Sequence, residues 1–372
     1  MNCIEVFSGA GGLAKGLELA GIRHRAFVEW NSDACDTLRN NFDSRIVYET
    51  DVRNFQFSSF SNIDIIAGGP PCQPFSLGGK ANGKDDVRDM FPAAIEAIKA
   101  TTPKVFIFEN VKGLLRNSFS DYFEYILLQL SYPQIKLKTD NWKTNLSSLR
   151  KLSLSNDEKP LYNVKYKLLN AADYGIPQTR ERVIIVGFRN DIKNDWSFPQ
   201  PTHSKDALLW DMFVENKYWD RHGIANYFPH SFVNECKRIL IKKYGFFPPS
   251  LLPWQTVRDA IEGLGAPNDK DDHLLRKGAK EYPGHTGSYI DEPSKTIKAG
   301  DHGVPGGENM IKYPDGQVRY FTIAEAKRIQ TFPDNYRIAG SWTEAMRQLG
   351  NAVPVKLATI LAKSIFNEIA TA

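Results

Sequence analysis

Strand-like and helix-like segments alternate through the first 190 residues, and this rhythm restricts the topology more than any other feature of the chain. Apolar runs at 3–7, 25–29, 63–68, 105–109, 166–169 and 183–188 predict strands, and a further strand ends shortly before Asp51. Helical periodicity falls between them at 12–20, 32–41, 90–100 and 121–130. Such alternation predicts an α/β fold, its parallel sheet covered on both faces by the crossover helices. In open sheets of this kind, chemistry sits just beyond the carboxyl ends of the strands.

Two segments break the rhythm. Residues 136–161 are polar, rich in Lys, Ser and Asn, and read as a surface insertion. Residues 196–318 are interrupted by proline throughout, carry many aromatics, and read as a separate irregular module. The chain therefore divides into 1–195, 196–318 and 319–372, the last returning to the first domain through helices at 322–330 and 355–369. The final helix carries Leu357, Ile360, Leu361, Ile365 and Ile369 as a stripe suited to packing on a sheet. A chain of 372 residues has room for a full core and a smaller second module. Cys3, Cys35, Cys72 and Cys236 lie far apart without CxxC spacing, which argues against zinc and disulfides and for a reducing cytoplasm. No apolar run approaches bilayer length, and residues 1–7 enter a strand with no signal peptide before it. The net charge of +4 permits a polyanionic partner without demanding one.

The strand at 63–68 runs into Gly68-Gly69-Pro70-Pro71-Cys72-Gln73-Pro74-Phe75. A cysteine between rigid prolines at a strand end suits a thiolate nucleophile presented at a fixed angle. The plain alternative is a small buried cysteine in a turn. Glu109 closes the apolar strand Phe106-Ile107-Phe108, where burial would raise its pKa and fit it to donate a proton near neutrality. Arg180 and Arg182 point the same way if their stretch is extended, and can stabilise anionic charge or grip a pyrimidine carbonyl. A surface ion pair with Glu181 is their ordinary alternative. Phe7-Ser8-Gly9-Ala10-Gly11-Gly12-Leu13 joins the first strand to the first helix, with glycines that let a ligand approach the backbone. Glu29-Trp30 ends the second strand, offering a carboxylate for both ribose hydroxyls and an indole for an adenine face. Asp51-Val52 follows the third strand, placed for an adenine amino group. Together these point to an adenosine-containing cofactor, and the absence of Gly-Lys-Ser/Thr argues against a P-loop.

The set resembles the DNA cytosine-5 methyltransferases. It carries Phe7–Leu13, Glu29-Trp30, Asp51, the Pro70-to-Ser76 block, Glu109-Asn110-Val111, Gln178-Thr179-Arg180-Glu181-Arg182 and Gln348-Leu349-Gly350-Asn351-Ala352-Val353 in the family's order. The resemblance covers 1–189 and 317 onward, and omits the 136–161 insertion and the proline-rich module. It implies a class I, Rossmann-like methyltransferase domain with a smaller target-recognition domain, and S-adenosylmethionine as the donor, leaving S-adenosylhomocysteine. It implies covalent addition of Cys72 to C6 of a flipped cytosine in double-stranded DNA, helped by Glu109, Arg180 and Arg182. Phe7, Ser8, Gly9, Ala10, Gly11, Gly12, Leu13, Glu29, Trp30, Asp51, Val52, Pro71, Met90, Asn351 and Ala352 would surround the cofactor. The stretch from Ser76 to Arg88 fits a lid on the DNA, with Ser76, Lys80, Lys84 and Arg88 as contacts. Pro293-Ser294-Lys295-Thr296-Ile297 matches the family's short signature in the recognition region, which adds Thr296. Arg221, His222, His285 and Lys298 are candidate base readers. The resemblance further implies a monomeric, metal-free, cytoplasmic modification enzyme of bacterial or phage origin that protects one short site. A tRNA-modifying relative is a second reading, against which Tyr320-Phe321-Thr322 lacks that branch's cysteine. A silent DNA-binding homologue is a third, against which stands the retention of Cys72, Glu109 and Arg182.

Overall fold

The computed structural model describes residues 1–71, 89–155, 158–192, 195–268, 270, 272–283, 285–299 and 309–371. The first half runs β1 (Asn2–Val6), α1 (Gly12–Leu19), β2 (Arg23–Glu29), α2 (Ser32–Asn41), β3 (Val47–Glu49), β4 (Ile65–Gly68), α3 (Phe91–Thr101), β5 (Val105–Val111), α4 (Ser120–Ser131), α5 (Trp142–Ser155), β6 (Tyr162–Asn170) and β7 (Glu181–Arg189). These strands form one sheet in the order β3-β2-β1-β4-β5-β7-β6. All run in one direction except β7, which is antiparallel to both β5 and β6. The sheet is therefore mostly parallel, as the resemblance to class I methyltransferases implies. The reversal has a positional effect: β7 begins where its neighbours end, so residues just before it and at its start sit at the reactive edge.

Period-two alternation sends successive side chains to opposite faces, and both faces are covered. Ile4, Val6, Ile66, Phe106 and Phe108 pack against α3 and α4, while Cys3, Ile65, Ala67, Val105 and Ile107 pack against α1 and the C-terminal helix. Residues 136–161 are not merely a surface insertion. Trp142 stands edge-on to Tyr122, Leu146 and Leu149 enter the first core, and Arg150 reaches Glu124 and Asp121 at 2.6 and 2.7 Å. The helix was masked in the sequence by the polar face it turns to solvent.

The second half runs β8 (His203–Ser204), α6 (Lys205–Phe213), α7 (Lys217–His222), α8 (His230–Tyr244), β9 (Leu252–Pro253), α9 (Val257–Ile261), β10 (Ser288–Tyr289), β11 (Met310–Lys312), β12 (Val318–Tyr320), α10 (Ile323–Ile329), α11 (Trp342–Asn351) and α12 (Val355–Thr371). The module expected to be irregular thus contains a helical cluster, with Leu208, Met212, Phe213, Tyr218 and Trp219 as its core. Asp291 joins that cluster to the β10–β12 sheet. It accepts from Tyr218 Oη at 2.7 Å, Tyr227 Oη at 2.9 Å and both Nε and Nη2 of Arg258 at 2.6 and 2.9 Å. Trp196 and Phe198 pack with Phe188 in the main core, and β12 pairs with β11 across position 318. The stretch Trp342–Ile369 is long and apolar enough to cross a bilayer by length and composition, which the sequence reading did not anticipate. Most of it is buried in the protein, α12 lying on α1 where a Cβ at Gly16 would come within 2.3 Å of Ala358 Cβ.

Candidate active site

The turn after β1 is held from three sides. Phe7, Gly9 and Gly11 have φ of 55°, 52° and 76°, a left-handed geometry that is uncommon for a phenylalanine. The Tyr336 hydroxyl donates to Ala10 O at 2.7 Å, and Ser8 Oγ donates to Glu5 O at 3.0 Å. At Gly12 a Cβ would lie 2.2 Å from Val353 O, so the segment after α11 closes directly on the turn. Ala352 packs at the same contact, while Asn351 is exposed. Above Gly9 the space is open, with nothing within 4 Å of a Cβ built there.

Glu29 is buried beside this turn. Its Oε2 accepts from Gly9 N at 2.8 Å, and its Oε1 accepts from Trp30 N and Asn31 N, both at 2.9 Å. A carboxylate offers about four acceptor sites, so roughly one remains. The expectation that Glu29 receives both ribose hydroxyls needs that correction: backbone donors already occupy most of its capacity. Trp30 is 76 % exposed, its indole uncovered by protein. Asp51 is engaged by Arg53, which holds its carboxyl below the usual range, and it caps the short turn Val52–Asn54. Both partners of that pair reach solvent.

At the far end of β4 and β5 lies the second group. Glu109 Oε1 sits 2.6 Å from Arg182 Nε, with both side chains nearly buried. The N–H is not aimed at the oxygen, and among the described residues Oε1 has no hydrogen-bond donor. Burial of Glu109 is thus offset by an ion pair. The Glu181 carboxylate pairs with Lys112 at 2.8 Å, and Arg182 Nη1 donates to the Glu181 backbone carbonyl at 2.8 Å. Asn110 Nδ2 donates to Pro70 O at 3.0 Å, and Met90 N to Pro71 O at 3.1 Å. A Cβ on Gly69 would lie 3.4 Å from Glu109 Oε2. Cys72, Ser76, Lys80, Lys84 and Arg88 lie outside the described residues.

Arg180 does not share the surroundings of Arg182. It is fully buried, donating Nη2 to Gly350 O at 2.8 Å and Nη1 to Ile297 O at 3.4 Å. Desolvation by burial, reinforced by Arg182 and opposed by Glu109, pushes its pKa well down. Thr296 Oγ1 donates to Thr179 O at 2.8 Å, which turns its hydroxyl into the protein. Arg221 and His222 reach Asp259 at 3.3 and 2.9 Å, and Arg221 also reaches Asp211 at 3.1 Å, so both serve the helical cluster. The Lys298 backbone is clamped by Asn309 on both its N–H and its carbonyl, and His285 bridges to Tyr282. Sequence reasoning missed Tyr336 and Gln330. Gln330 receives Gln178 Nε2 at 3.2 Å and donates to the Leu349 and Ala352 carbonyls. No local spacing signals a partnership over 152 residues. Among the described residues, no group of three or more His, Cys, Asp or Glu is placed to hold a metal.

The C-5 cytosine-specific DNA methylase family model matches residues 1–133 and 136–367. The chain belongs to that family. It is 32% identical to the Type II methyltransferase M.NgoMIV of Neisseria gonorrhoeae, covering 97% of this chain and 96% of that protein. It is 31% identical to the Type II methyltransferase M.Eco47II of Escherichia coli, covering 97% and 78%. Among solved structures it is similar to the S. pombe Dnmt2 methyltransferase, with a TM-score of 0.60, 17% identity, and 99% and 98% of the two chains covered. That likeness speaks for the shared methyltransferase fold. As a family member the chain is a DNA cytosine-5 methylase, and its reaction requires a methyl donor and a DNA substrate.

Proposed function

We propose that this methylase takes S-adenosylmethionine as donor and acts on a cytosine rotated out of double-stranded DNA, through a covalent bond between Cys72 and C6. The tie from Asn110 to Pro70 carries the reading. It fixes the Pro70-Pro71 turn against the strand that bears Glu109, and Cys72 is the next residue in the chain. The fit of the donor rests on the open space over Gly9, the exposed Trp30 indole and the acceptor site left on Glu29. Phe7, Gly9, Leu13, Glu29, Trp30, Asp51, Val52, Asn351 and Ala352 would hold it, and when bound it supplies an electrophilic sulfonium methyl.

The chemistry assigned to the chain then follows. Cytosine C5 is a weak nucleophile until the ring is activated. The Cys72 thiolate adds to C6, and the C5–C6 electron pair moves toward C5 while Glu109 bonds N3. Arg182 Nε sits 2.6 Å from Oε1, which is sealed from solvent, so that contact falls to Oε2. Arg182 holds both Glu109 and the cytosine carbonyl. After C5 is methylated, water takes the C5 proton, the C–H electron pair re-forms the C5–C6 double bond, and the C6–S bond breaks with its pair on sulfur, which returns the thiolate. A base inside the duplex cannot reach these groups, so it is extruded at the cost of unstacking. The segment 196–318 is assigned to target recognition, inserted between 1–195 and 319–372. The chain is assigned a modification role in a restriction–modification system, as in the Type II relatives, and a monomeric state in the cytoplasm.

Trapping tests the reading. A long duplex of varied sequence, copied with 5-fluorocytosine, should give an SDS-stable adduct only when S-adenosylmethionine is added. Cys72→Ala should lose the adduct and methyl transfer while still binding the cofactor by calorimetry. Turnover retained in Cys72→Ala overturns the assignment.

A further inference from the structure

Arg180 is an unusual expenditure of charge. Its side chain is fully enclosed, it makes no ion pair among the described residues, and Nε has no partner there. A buried guanidinium that meets only carbonyls is expensive, so its two contacts invite explanation. They come from opposite functional sides of the molecule. Gly350 O belongs to the end of α11, two residues before Ala352, which packs on the glycine turn at Gly12. Ile297 O belongs to the segment 294–299 of the recognition region. The same two segments touch each other directly, since a Cβ at Gly350 would lie 2.5 Å from Ala299 N.

Gln178 doubles the connection. Its Oε1 accepts from Ile297 N at 3.0 Å, and its Nε2 donates to Gln330 Oε1 at 3.2 Å. Gln330 in turn bonds the Leu349 and Ala352 carbonyls. Residues 177–179 then pair with Ser294 and Thr296 through four further bonds of 2.8–3.2 Å. The stretch 177–180 is therefore wedged between the cofactor-side turn and the DNA-side segment, and leads directly into Arg182.

We propose that Arg180 is a positioning residue that ties the 350–352 turn to the 294–299 segment, so that filling the cofactor site orders the DNA-reading side. The assignment rests on the cofactor reading above, and it replaces the direct role for Arg180 in the covalent intermediate that the family resemblance implied. By linkage, what the cofactor does for that segment, DNA does in return for cofactor affinity.

Hydrogen exchange in the full-length protein tests it, with S-adenosylhomocysteine as the probe and no DNA present. In the wild type, adding the probe should slow exchange of the Ile297 and Lys298 amides at least several-fold. In Arg180→Met, with calorimetry showing that the probe still binds, the slowing should vanish. Arg180→Lys keeps the charge and reaches one carbonyl, and should retain part of it, which also serves should the Met variant not fold. Equal slowing in the wild type and either variant, or none in the wild type, overturns the proposal. A wild-type protein that fails to bind the probe at all instead removes the cofactor reading.

Discussion

Glu109 and Arg182 illustrate how two costly residues become affordable only together. Either alone, placed on a sheet strand with little solvent access, would leave an uncompensated charge; side by side at 2.6 Å they neutralise each other. Glu109→Gln removes the charge that steadies Arg182 and the group that meets N3. Single-turnover methylation should fall by about 10²–10⁴-fold, the usual range for a lost acid–base residue, with cofactor affinity unchanged by calorimetry. Trp30 is the residue proposed to meet the other substrate. Trp30→Ala should weaken S-adenosylhomocysteine binding by about 1–3 kcal/mol, the typical contribution of an aromatic stacked on a base, and unchanged binding would remove the indole from the pocket. At this scale the sequence revealed residue identity better than residue surroundings. Arg180 and Arg182 are two apart and look equivalent on paper, yet one is sealed behind the 297 and 350 carbonyls and the other faces Glu109. Thr296, Arg221 and His222 likewise have partners contributed by distant segments, which no linear pattern announces.

Elements were more legible than contacts. The strands of the first half lie close to where apolar runs placed them, because a doubly covered sheet demands uninterrupted Val, Ile and Phe. The reversal of β7 was not legible, since strand direction leaves no trace in composition. Helix α5 escaped for a different reason: only Asn145, Leu146 and Leu149 of its length are buried, too few to raise a periodic signal against so many serines and lysines. Packing between α1 and α12 gives a test in which two effects oppose. Ala at position 16 would favour the helix by about 1 kcal/mol over Gly. Its Cβ would however meet Ala358 Cβ at 2.3 Å and Thr359 N at 2.8 Å, neither of which can swing aside. Overpacking of this kind costs about 1–3 kcal/mol, so Gly16→Ala should lower Tm. A raised Tm would show that the two helices separate easily.

For the molecule as a whole, Asp291 governs how the helical cluster sits against the β10–β12 sheet. Burial alone would raise its pKa, but the Arg258 guanidinium and the Tyr218 and Tyr227 hydroxyls bring it below the ordinary aspartate value. A folded pKa below the unfolded one means stability that is present above about pH 4 and is lost as pH falls through the lowered value. Wild type should therefore lose Tm on acidification below pH 4 more steeply than Asp291→Asn, whose deficit at neutral pH should be about 3–5 kcal/mol from the broken buried pair. Parallel Tm profiles for the two proteins from pH 7 to 3 would show that Asp291 contributes nothing.

The contact between Gly12 and Val353 also sets an order of events. The turn after β1 is synthesised well before Val353, which closes on it, and before α12, which covers the neighbouring face of the sheet. Until α12 has been made, Leu13 and Leu17 have no α12 to pack on and the turn has no ceiling. On the proposed cofactor reading, the donor site is therefore completed only after residues 196–318 have been made, and a chain broken off before Val353 would lack the contact that closes on Gly12.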